Sequence, residues 1–189
     1  VRAGAGPDRR TGPVLLGRGE RVALAAALLA FAAAVVVPRA LPWQRITVTS
    51  DSMAPWLEPG DSVWMDTRTA GGQGVARGDV VVFADPGDWS GAGAPPLLVK
   101  RVVGLPGETI ACCDAAGRVL VGGEPLEEDY LPEGTRGSTL AFDVVVPAGE
   151  VWLMGDHRTS SRDSRLHELA GSHGSVPLTA VVGTVADRS

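Results

Sequence analysis

The sequence predicts a mostly β domain, a sandwich or barrel of short strands, preceded by one N-terminal apolar helix. Three observations carry this. From Ile46 onward the chain breaks into short runs rich in Val, Leu, Ile and Thr, separated by Gly- and Pro-containing turns. No strong amphipathic helix pattern follows, apart from a short turn over Arg162–Leu169. Before these runs, Val22–Val37 is sixteen consecutive Ala, Val, Leu or Phe residues.

Taken in order, residues 1–21 are rich in Gly, Pro and Arg and predict a disordered tail. The apolar run would span about 24 Å as a helix, against ~30 Å of bilayer hydrocarbon. Arg21 and Arg39 can snorkel, and Leu41 and Trp43 extend the apolar stretch. An uncleaved anchor, a cleaved signal peptide and a buried helix all compete here. The anchor over residues 22–43 is favoured, because the run exceeds an ordinary signal h-region and Pro38-Arg39 follows it instead of a small-x-small site. Arg9, Arg10, Arg18 and Arg21 upstream predict a cytoplasmic N-terminus and an extracytoplasmic domain over residues 46–189. That length buries one core without metal or disulfide staples. Its expected strands are Arg45–Val48, Ser62–Asp66, Asp79–Ala84, Leu97–Leu105, Thr109–Asp114, Val119–Val121, Thr139–Val146, Val151–Gly155 and Ala180–Ala186. Turns at Pro59-Gly60-Asp61, Arg77-Gly78-Asp79, Pro106-Gly107-Glu108 and Gly122-Gly123 separate them.

Composition excludes some functions. The formal net charge is -5, and no basic patch is present to neutralise phosphates, so nucleic acid is not expected as a partner. Cys112 and Cys113 are adjacent, a spacing at which a disulfide strains the intervening peptide, so they are expected as small thiols in a strand. No CxxC or Cys/His cluster is present, and His157, His167 and His173 lack metal-ligand spacing; no metal or cofactor is expected, and the three read as surface or loop histidines. Sixteen of the seventeen basic residues are Arg, and the single lysine is Lys100. Lysine can lose its proton when desolvated; arginine cannot.

Three stretches look chemical. Ser50-Asp51-Ser52-Met53-Ala54-Pro55 puts a serine between a strand and a proline turn, although loop serines often only hydrogen-bond backbone. Leu97–Gly107 holds Lys100 inside a Leu/Val run, where strand alternation gives it the face of Leu98 and Val102. Burial there lowers the amine pKa, and a neutral amine can take a serine proton. An exposed edge lysine that blocks aggregation fits this stretch equally well. Gly155–Arg165 alternates acidic and basic residues directly after the apolar Val151-Trp152-Leu153, which suits a loop ordered by ion pairs or a solvated surface loop.

In this order, the three stretches resemble the boxes of the type I signal peptidases. Ser-x-Ser-Met-x-Pro matches Ser50–Pro55, Gly-Asp-x-Val matches Gly60–Val63, and Arg-Gly-Asp-Val-Val-x-Phe matches Arg77–Phe83. Lys-Arg-Val-x-Gly-x-Pro-Gly matches Lys100–Gly107, and Gly-Asp-Asn-Arg-x-x-Ser-x-Asp-Ser-Arg matches Gly155–Arg165 with one departure. Val176-Pro177 and Gly183 match the closing pattern. The resemblance implies a signal-peptidase-type β-sheet or barrel catalytic domain behind one transmembrane helix. It also implies a membrane-bound serine endopeptidase that removes signal peptides from exported preproteins. Ser52 would be the nucleophile and Lys100 the general base. Ser50 and the Ser52 backbone N–H would form the oxyanion hole, and Ser161 would orient the amine. Met53 would pack near the site, with Arg101, Asp156, Arg158, Asp163 and Arg165 holding the surrounding loop. Implied partners are preprotein signal peptides, the lipid bilayer and the secretion translocon. Trp43, Trp56, Trp64 and Trp89 are candidates to seat the domain at the interface, some of them as core residues instead.

Three departures stand out. His157 replaces an asparagine, Asp51 stands where a small residue is common, and only 54 residues lie between Lys100 and Gly155, too few for an inserted second domain. The alternatives are a dedicated maturation peptidase that trims one partner and a non-enzymatic β-domain that binds a peptide along a strand edge.

Overall fold

A computed structural model describes residues 17, 19, 42–87, 89, 97–171 and 174–186. The expected tail apart from Gly17 and Gly19, nearly all of the expected anchor, and His173 lie outside the described residues. Among the described residues no helix is long and apolar enough to cross a membrane.

Residues Pro42–Ser189 form one compact unit. Its strands are β1 (Trp43–Thr47), β2 (Ser62–Asp66), β3 (Val80–Ala84), β4 (Leu97–Gly104), β5 (Thr109–Cys112), β6 (Val119–Val121), β7 (Glu124–Pro125), β8 (Phe142–Val145), β9 (Glu150–Met154), β10 (Val176–Pro177) and β11 (Val181–Val185). The helix α1 (Ser164–Leu169) and 3-10 turns at Thr67–Gly72 and Leu178–Ala180 complete the elements of this unit among the described residues. The strands make two antiparallel sheets, ordered β1-β2-β11-β3-β4-β9-β10 and β7-β6-β5-β8. The mostly β expectation holds, as two sheets that do not close into a barrel among the described residues.

Every expected strand is present within a few residues of its expected limits. The first begins earlier, because Trp43, assigned to the anchor by its apolarity, pairs with Asp66 of β2. The expected Thr139–Val146 strand narrows to Phe142–Val145, since only those residues pair with β5. The two-residue strands β7 and β10 carry no periodicity and were invisible to pattern.

Alternation puts the core on both faces of the central strands. Val151 and Leu153 of β9 join Val81, Phe83, Trp89, Val102, Val176 and Val181 on one face. Trp152 and Met154 of the same strand turn the other way and pack with Val103, Ile110, Val119, Phe142 and Val146, which ties the two sheets together. Gly104 sits at this junction, where a Cβ would meet Ile110 Cγ1 at 2.7 Å and Trp152 Cβ at 2.9 Å. Val48, Met53, Leu57, Val63 and Val80 make a third cluster beneath the turn that follows Ser52.

Two expectations are corrected. Cys112 and Cys113 are joined as a vicinal disulfide, not held as separate thiols. The peptide between them is cis, and their Cα atoms lie 3.0 Å apart. His167 is not a surface residue: it lies on the inward face of α1, stacked on Trp89 with ring centroids 4.5 Å apart. Burial and the nearby Arg162 push its imidazole below the ordinary value. Trp89 is accordingly core, as is Trp152, whereas Trp43 and Trp64 are 40% and 54% exposed.

Candidate active site

Ser52 lies in the turn after β1. The turn is closed by the Ala54 N–H donating to the Asp51 carbonyl at 2.9 Å and the Leu57 N–H to the Met53 carbonyl at 2.9 Å. Met53 and Leu57, 1% and 0% exposed, pin the turn to the third core cluster. This leaves the Ser52 side chain fixed beside β4. Lys100 sits in β4, opposite Val81 of β3, and points inward with Val102 as alternation requires. Its Nζ is 2.7 Å from Ser52 Oγ and 3.0 Å from the Val99 carbonyl oxygen. Only 4% of the residue is exposed.

Burial lowers the Lys100 pKa to about 8, and it outweighs the opposing pull of Asp163 and Asp156. Desolvation penalises the ammonium, and neither carboxylate is free to rescue it. Asp156 accepts from Arg101 Nε at 2.8 Å and Nη2 at 2.6 Å, and Asp163 accepts from Arg165 Nε at 2.9 Å and Nη2 at 2.7 Å. All four residues are buried. With both acids paired in this bidentate way, the amine keeps access to its neutral form at moderate pH.

The same pairs build the loop around the serine. Asp163 caps α1 through the Arg165 N–H and also accepts from the Gly155 N–H at 2.9 Å. Ser164 Oγ accepts from the Leu153 N–H at 2.8 Å. Arg165 Nη1 donates to the Arg158 carbonyl at 2.9 Å, and Arg158 Nε to the Gly155 carbonyl at 3.1 Å. The His157 N–H reaches the Ser52 carbonyl at 3.1 Å and so joins the loop to the serine turn. Gly155 must be glycine at this crossing, because a Cβ would collide with Ser161 and with the Ser52 carbonyl oxygen.

The residues singled out in the sequence therefore come together. Ser50 Oγ is 3.3 Å from Ser52 Oγ. Met53, Arg101, Asp156, Arg158, Asp163 and Arg165 all lie in or under the site. Ser161 is the exception. Its buried Oγ has no hydrogen-bond partner among the described residues. Ser161 instead packs against Gly155. The two departures from the family pattern meet each other, with His157 Nδ1 3.3 Å from Asp51 Oδ2.

Sequence reasoning missed Glu128 and Tyr130. Glu128 accepts from Arg158 Nη1 at 3.0 Å and Nη2 at 2.5 Å, and Tyr130 Oη donates to Glu128 at 2.5 Å. Arg101 lies over the Tyr130 ring, 3.9 Å from its centroid. Burial, with Glu128 beside it, pushes the Tyr130 phenol well above its ordinary pKa. Both residues lie in the aperiodic stretch after β7; the only signal was an acidic run facing a chain with more arginines than its acidic loop could pair.

Comparison with known proteins gives one family. Residues 21–188 match the family "Signal peptidase, peptidase S26". The chain is 31% identical over 187 residues to the "Probable signal peptidase I" of Mycobacterium leprae, covering 72% of this chain and 64% of that one. It is 36% identical over 134 residues to the "Probable signal peptidase I-1" of Synechocystis, covering 70% and 63%. It is 32% identical over 145 residues to the "Signal peptidase I U" of Bacillus subtilis, covering 73% of each. The chain thus spans less than two thirds of the length of the first two of these relatives.

Proposed function

The chain belongs to the signal peptidase S26 family, and from that premise we propose that it is a membrane-bound serine endopeptidase that removes N-terminal signal peptides from exported preproteins. The observation that carries this reading is the 2.7 Å contact between Ser52 Oγ and a buried amine whose pKa is lowered to about 8.

In this reading the neutral Lys100 amine accepts the Ser52 hydroxyl proton as Oγ attacks the scissile carbonyl carbon. The Ser52 N–H and the Ser50 hydroxyl donate to the oxyanion; loss of one such donor typically costs ~3 kcal/mol of transition-state stabilisation. The carbonyl carbon–nitrogen bond then breaks, and Lys100 returns the proton to the leaving amine. The resulting ester on Ser52 is hydrolysed by a water that gives its proton to the same amine. Ser161, whose Oγ is buried and unpartnered among the described residues, is the candidate to orient the Lys100 amine. An extended substrate fits beside β4: β9 pairs with β4 only from Arg101 to Gly104, so Leu97–Lys100 have no strand partner on that edge among the described residues.

The apolar run Val22–Val37 supplies the anchor, with the tail cytoplasmic and the peptidase extracytoplasmic, near the translocon that delivers its substrates. A shared bilayer raises the effective concentration of enzyme and substrate. The exposed Trp43 and Trp64 lie on the same face of the β1–β2 pair, at the end where the anchor would join, and suit an interfacial seat.

The test is cleavage of a reporter preprotein. Ser52→Ala and Lys100→Ala should each abolish processing, and Lys100→Arg should be equally inactive because the guanidinium stays charged. Processing retained by any of the three would refute the assignment.

A further inference from the structure

An open cavity of about 520 Å³ adjoins the serine turn, lined among others by Ala54, Pro55, Arg136, Thr139, His157 and Thr159. Neither Ser52 nor Lys100 lines it. Its lining begins two residues beyond the nucleophile, at Ala54. We propose that this cavity receives the substrate residues that follow the scissile bond, and that Arg136 selects an acidic side chain among them.

The inference rests on the Ser52–Lys100 reading above and names which part of the substrate the neighbouring cavity takes. The free edge of β4 gives the residues before the cut a strand to pair with. The cavity is then left for the residues after it. Its walls are held in place. Arg158 Nη1 fixes the Gly137 carbonyl at 3.0 Å, the Gly137 N–H donates to the Gly117 carbonyl at 2.8 Å, and His157 is tied to Ser52 through its backbone.

Charge decides what the cavity prefers. Of its ionic lining groups, Asp156 is neutralised by Arg101 and Arg158 by Glu128, while His157 faces Asp51. Arg136 pairs with no carboxylate among the described residues. Its stem crosses Gly117, where a Cβ would meet its Cγ and Nε at 3.3 Å, and the side chain is exposed to solvent. An unpaired guanidinium in a concave wall, with threonine hydroxyls beside it, fits a carboxylate.

The experiment compares, on the purified full chain, two peptides identical up to the cut and carrying Glu or Gln at the first two positions after it. Both compete in one reaction, so only the ratio of kcat/KM values is read. Wild type should favour the Glu peptide by about threefold to fivefold at low salt, the upper range of an exposed ion pair, and less at high salt. Arg136→Ala should bring the two rates together, and Arg136→Glu should favour the Gln peptide. Equal rates in wild type, or a Glu preference that survives Arg136→Ala, would overturn the cavity assignment and leave the dyad standing. A wild-type chain that cuts neither peptide would overturn both readings.

Discussion

Lys100 is placed where an ammonium is costly, and its chemistry and its effect on stability come from the same burial. With the folded pKa near 8 and the unfolded value at 10.5, the unfolded chain binds the extra proton between those limits. Stability therefore rises with pH across that window, and below pH 8 the buried charge costs about 3 kcal/mol relative to the high-pH plateau. Lys100→Met removes this dependence. Its urea midpoint should exceed wild type at pH 7, and the gap should narrow by pH 10; a gap that stays constant with pH would contradict the burial. The lysine was legible in the sequence as the one basic residue that can deprotonate, set within an apolar run. Its hydrogen bond to the Val99 carbonyl was not legible, because it depends on how the side chain folds back on its own strand.

At the scale of elements, the Gly155–Arg165 loop is a scaffold of buried ion pairs that sets the distance between the serine turn and β4. Asp163 caps α1, holds the Gly155 N–H and clamps Arg165 at once. Asp163→Ala leaves the Arg165 charge buried and unpaired, a change of the class that costs about 3–5 kcal/mol. Thermal unfolding should show a fall of that size. Gly155→Ala tests position more finely, since its methyl would push Ser161 and the Ser52 carbonyl apart. It should lower kcat strongly while most of the fold's stability persists, and unchanged kcat would show that the crossing tolerates a side chain. The strands were legible because alternation and turn residues act locally. The limits that moved, at Trp43 and at Phe142, were set by pairing partners far along the chain. Glu128 and Tyr130 escaped notice because their contacts with Arg158 and Arg101 span about 30 residues of sequence or more.

At the scale of the whole molecule, the buried pairs Arg101–Asp156, Arg158–Glu128 and Arg165–Asp163 hold the loop, and the Lys100 amine forms no ion pair among the described residues. The amine belongs to a residue only 4% exposed, in a strand whose neighbours Val102 and Val103 are fully buried. Because Lys100 is the only lysine in the sequence, the central claim can be read from one atom. Lysine labelled with carbon-13 at Cε gives a single side-chain resonance in the full chain, followed by NMR from pH 6 to pH 11. An amine held neutral by burial beside Ser52 should titrate near pH 8, as its own pKa requires. A single transition near the ordinary lysine value of about 10.4 would mean that the amine lies in water, and the dyad could not work as described.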